Sequence, residues 1–134
     1  MHLLPAMCCI VALHTPVQAQ SDFRAAIDVP ALLRQLDSAV DTTRANAFYS
    51  LLWEPPSGPY NPCDRVTHLL AAKPTLARRI KVGLIRTLER ENATPLARKP
   101  ARLPPPYQEY YRHLVWSVGA LKDTSAVRAL VGAV

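Results

Sequence analysis

Nine of the chain's 13 prolines fall in two short stretches, "EPPSGPYNP" at 54–62 and "TPLARKPARLPPP" at 94–106. Proline has no amide hydrogen to donate, and its ring clashes with the preceding helical turn, so neither stretch can be helix interior. What lies around them must fold as separate, short segments. In these segments apolar residues recur at helical spacing, and none alternates as a half-buried strand would. The expectation is an all-α chain built from helix pairs near 30–53, 64–92 and 107–134.

In the first pair, Asp28 followed by Pro30 predicts a helix start, with Leu33, Leu36 and Val40 on one face. "DTT" at 41–43 caps a helix better than it continues one, so a second helix begins there with Ala47, Phe48 and Leu51 inward. In the second pair Asp64 is the expected N-cap of "RVTHLLAA", and "KP" at 73–74 ends that helix. Thr75 then opens a long helix in which Leu76, Ile80, Leu84 and Leu88 recur every fourth residue. Arg78, Arg79, Lys81, Arg86, Glu89 and Arg90 occupy its other side. Burying each large apolar side chain is worth about 1.5–3 kcal/mol, so four of them set how this helix docks.

The third pair places Tyr107, Tyr111, Leu114, Val118 and Leu121 along one face. "KDTS" then stops the helix, with Asp123 as the cap of a last one. Val127, Leu130, Val131 and Val134 form that helix's stripe, expected to face inward.

These residues resemble a known family. "LKDTSAVRALVGAV" (121–134) resembles the turn and second helix of a HEAT-like repeat. "LDSAVDTTRANAFYSLL" (36–52) looks like an earlier copy, with Asp41, Arg44 and Ala47 in the corresponding places. "ARRIKVGLIRTLEREN" (77–92) is similar to a repeat's second helix. The likeness covers about two-thirds of the chain and rests on sparse apolar positions; where the family often has proline, this chain has Thr124 and Arg128. It implies an α-solenoid of about three stacked helix pairs that binds other proteins. Stable arrays end in a repeat with a polar outer face. Residues 125–134 lack one, so an amino-terminal fragment of a longer array is expected, the alternative being a complete bundle closed by its own last helix.

The N-terminus differs in kind. "LLPAMCCIVAL" at 3–13 is an uncharged run, too short to span a bilayer but suited to the apolar core of a secretory leader. Val17 and Ala19 form the small-residue pattern that signal peptidase reads, placing cleavage after Ala19. Only the Met1 amine and His2 stand where Lys or Arg is usual. Residues 1–19 are therefore read as a signal peptide and 20–134 as an exported domain with no transmembrane segment. Cys8 and Cys9 would leave with the leader, and Cys63 would have no internal disulfide partner.

Arginine outnumbers lysine 12 to four, a bias expected of GC-rich, bacterial coding, and the formal net charge is +6. The basic residues are spread along the chain, which predicts weak, salt-dependent contact with polyanions and no specific nucleic-acid recognition. Chemistry is sparse. Cys63, His68 and His113 fall short of the two close ligand pairs of a structural zinc site, so no metal or other cofactor is expected. The glycines are scattered, without a phosphate loop, and no serine lies in a nucleophile elbow. "NAT" at Asn92 is a glycosylation sequon of consequence only in a eukaryotic secretory pathway.

The expectation is thus a non-enzymatic, exported scaffold for protein partners. Its candidate interaction surface comprises Arg78, Arg79, Arg86 and Arg90 with Tyr110, Arg112 and Trp116, since aromatics beside arginine make interface anchors. The alternatives are a basic intracellular module that binds nucleic acid, and an accessory repeat region of a longer enzyme.

Overall fold

The computed structural model describes residues 27–52, 61–94 and 105–134, with side chains from 108 in the last block. The expected signal peptide at 1–19, most of both proline-rich stretches, Trp53 and the side chain of Tyr107 lie outside them. Every regular element among the described residues is helical, as expected from the periodicity.

Helix α1 (Val29–Leu36) begins where Asp28 accepts the Ala31 amide at 3.0 Å, with Pro30 in its first turn. It buries Val29, Leu33 and Leu36. Val40 does not join that face: the helix ends at Leu36, the 3.6-residue period stops with it, and Val40 is 56% exposed. Helix α2 (Asp41–Leu51) comes next and buries Arg44, Ala45, Ala47, Phe48 and Leu51.

Helix α3 (Pro62–Ala72) is capped by Asn61, whose side chain accepts the amides of Cys63 and Asp64. Asp64 is therefore a first-turn residue rather than the expected cap; it accepts from Asn61 Nδ2 at 2.8 Å. The cap moves upstream because Pro62 suits the first helical position, where no amide is needed. After Lys73, a 3-10 turn (Pro74–Leu76) leads straight into α4 (Ala77–Ala93). Ile80, Leu84 and Leu88 are fully buried along it, and Leu76 packs against the same core.

Helix α5 (Pro105–Ala120) buries Tyr110, Tyr111, Leu114, Ser117 and Val118. Its end is marked by Lys122 at φ 49°, a left-handed conformation that glycine adopts more readily than lysine. A second 3-10 turn (Thr124–Ala126), capped by Asp123, again runs directly into a helix, α6 (Val127–Val131). The joint between α3 and α4 and the joint between α5 and α6 thus share one plan.

At the last joint the expected stripe is corrected. Ala126 and Ala129 face inward and Leu130 is half-buried, while Val127 and Val131 are 56% and 68% exposed and Val134 is fully open. The inward positions 126, 129, 130 and 133 also recur at helical spacing but are mostly alanine, so the face that packs is the small one and the valines are left outside. The small inward residues bring α6 close to α4, where Asn92 Nδ2 donates to Ala129 O at 2.7 Å.

Helix α4 is the axis of the fold. It touches α1, α3, α5 and α6, while α1 packs on α2 and α3 on α5. Helix α2 also reaches α5, where the Phe48 and Tyr110 rings meet edge to face at 5.5 Å. The first pair therefore touches the third as well as the second.

Candidate functional site

The buried end of α4 explains how the helices are held. Arg44 donates through Nε to Glu91 Oε1 at 2.6 Å and through its other nitrogens to Asp41 Oδ1 at 2.7 Å and Ser38 O at 2.8 Å. Glu91 Oε1 also accepts from Tyr110 Oη at 3.1 Å. Burial opposes the charge on Arg44, but the hydrogen bonds and charges of Glu91 and Asp41 outweigh it and raise the guanidinium's pKa. Burial, then Glu91, pushes the Tyr110 phenol well above its ordinary range. Arg44, Glu91 and Tyr110 are buried while Asp41 reaches solvent, and the shared hydrogen bonds tie α2, α4 and α5 together.

Tyr110 therefore leaves the expected interaction surface: it is 2% exposed and bonded inside the core. Arg90 is half-committed in the same region, with Nη1 donating to Asp37 O at 2.5 Å and Ser38 O at 2.9 Å. A cation at the end of α1 complements the partial negative charge of the exposed carbonyls there.

Arg78, Arg79 and Arg86 are exposed on the solvent face of α4. The structure adds what the sequence did not offer, a second wall. Helix α1 lies beside α4, and a groove of about 310 Å³ runs between them, with Arg34 and Asp37 opposite the three α4 arginines. Leu33, Val82 and Gly83 contribute to its lining. Gly83 permits the approach, since a Cβ there would stand 3.0 Å from Leu33 Cδ2. Four guanidinium groups thus face one carboxylate, Asp37, which reaches Arg86 at 3.8 Å with both side chains about half exposed. Among the described residues Arg34, Arg78 and Arg79 have no carboxylate partner.

Arg112 and Trp116 lie elsewhere, on the outer side of α5. The guanidinium carbon sits 5.1 Å from the indole centroid, Arg112 also pairs with Glu109, and Trp116 is 47% exposed. Beside them His113 Nδ1 lies 3.1 Å from Tyr49 Oη, and its Nε2 lies 3.5 Å from Glu109. Burial holds His113 below the ordinary imidazole pKa, with Glu109 opposing and Arg112 adding to the shift. Burial, then Glu109, raises Tyr49 to about 12 against a lesser opposing effect of Arg112. A neutral imidazole held by a phenol anchors α5 to α2.

Cys63 Sγ donates to Trp116 O at 3.5 Å. Among the described residues no group of three or more His, Cys, Asp and Glu side chains could hold a metal ion, and no helix is long and apolar enough to cross a membrane. No family model, curated protein or solved structure matches this chain.

Proposed function

We propose that the protein is a non-enzymatic HEAT-like scaffold, exported after loss of residues 1–19, that binds protein partners through the α1–α4 groove. The observation that carries this reading is the groove's composition: four arginines and one aspartate around an apolar patch that includes Val82, which is 46% exposed. Arginine beside exposed apolar surface is the make-up of a protein-binding face. The repeated joint, a 3-10 turn running directly into a helix at 74–77 and 124–127, supports the stacked-repeat part of the reading. The contact of α2 with α5 is its departure from a strict nearest-neighbour stack.

A photocrosslinking amino acid installed at Val82 of the whole chain, in cells, tests the binding role. Specific protein adducts that vanish when it is moved to Arg128, on the exposed face of α6, are expected. Nuclease-sensitive adducts would instead favour the nucleic-acid alternative. Sequencing of the exported product should begin at Gln20; an intact Met1 in the cytosol would overturn the export reading.

A further inference from the structure

Resting on that protein-binding reading, we infer that the groove's occupant is an amphipathic helix of a partner protein that carries acidic residues on either side of an apolar one. Arg78, Val82 and Arg86 stand four residues apart on the open face of α4, so they form one ridge with positive ends about 12 Å apart and an apolar middle. Contacts between α1 and α4 advance in the same sense along both helices: Leu33 lies against Gly83, Asp37 against Arg86 and Arg90. The groove is therefore flanked by two helices running in the same sense, an arrangement that can receive a third helix ridge into groove.

An incoming helix has the same rise per residue. Carboxylates placed two helical turns apart would meet Arg78 and Arg86, and an apolar side chain between them would meet Val82. Arg34 and Arg79 add two further guanidinium groups, and arginine's planar fork suits carboxylate oxygens two at a time. Asp37 is the one opposing charge, and it competes with the occupant for Arg86.

The test uses the full chain and a fluorescent helical peptide with leucine midway between two matching glutamates, monitored by anisotropy. Saturable binding is expected, about tenfold weaker when the glutamates are glutamines or when Arg78→Ala and Arg79→Ala are combined. Asp37→Asn should bind several-fold tighter, a gain that misfolding does not produce. Equal binding of the glutamine peptide, indifference to the double substitution, or tighter binding of a single-stranded oligonucleotide through the same arginines would each overturn the inference. Protein adducts at Val82 that survive the double substitution would keep the scaffold reading while removing the acidic partner. Their absence from the unsubstituted chain removes the scaffold reading itself.

Discussion

Arg44 and Glu91, 47 positions apart in the chain, meet at 2.6 Å with side chains only 2% and 9% exposed. Two charges removed from water together are costly, and removing one of them strands the other. Arg44→Ala is therefore expected to cost about 3–5 kcal/mol of folding stability. Arg44→Lys should also be severe, because one ammonium cannot serve Glu91, Asp41 and Ser38 O with arginine's geometry. Urea denaturation of the two variants would measure this, and losses below about 1 kcal/mol would show the tie to be dispensable.

His113 gives the fold a dependence on acid. Its folded pKa lies below the ordinary 6.5, so above that value both folded and unfolded chains hold it neutral and its contribution is complete. As pH falls below 6.5 the unfolded chain takes up the proton first, and stability declines until the folded pKa has been passed. Tyr49 from α2, with Glu109, Arg112 and Trp116 from α5, surrounds the ring. His113→Gln should flatten the slope of stability against pH between about 7 and 5. Parallel curves for the two proteins would assign the slope to other groups.

Lys122 pays for its backbone. At φ 49° its Cβ crowds the neighbouring carbonyl, a cost that glycine does not carry. Lys122→Gly should stabilise the protein by about 1 kcal/mol despite removing a side chain. A lower melting temperature for this variant would mean that the lysine makes a compensating contact.

The last helix should reverse a simple hydrophobicity ranking. Ala129 is 1% exposed and Val131 is 68% exposed. Ala129→Asp should detach α6 and lower the melting temperature, since an unpaired carboxylate would be buried beside α4. Val131→Glu with Val134→Glu should change stability by no more than about 0.5 kcal/mol and reduce self-association, because both valines add exposed apolar surface. Thermal melting and sedimentation of the variants decide it, and a double glutamate variant that unfolds would restore the inward stripe.

Much of the helical plan was legible because it is a one-dimensional signal. Leu84 and Leu88 announce α4 by spacing alone, and Asp28 with Pro30 marks a start that the chain uses. The partners of each helix were not legible, since spacing shows that a face is apolar and not what it meets. Arg34 carries no sequence signal for that reason: it becomes part of a groove only when α1 lies beside α4. Arg44 and Glu91 did leave a trace. Arg44 stands in phase with Ala47, Phe48 and Leu51, and Glu91 with Leu84 and Leu88, so each is a charge on an inward face. Two such misfits of opposite sign were the available clue to a buried pair. The phase of α6 was hidden because its inward face is mostly alanine, while the larger valines that mark an apolar stripe point outward.

One oxygen of Glu91 serves Arg44 from α2 and Tyr110 from α5. Chains of stacked units can lose structure from one end while the remainder persists, because each unit depends only on its neighbours. Here the first and third pairs share an acceptor on the second, so releasing either one strips a partner from the same buried carboxylate. Amide protons in α2 and α5 should therefore exchange with solvent at a common slow rate, through a single opening of the whole domain, rather than fraying pair by pair.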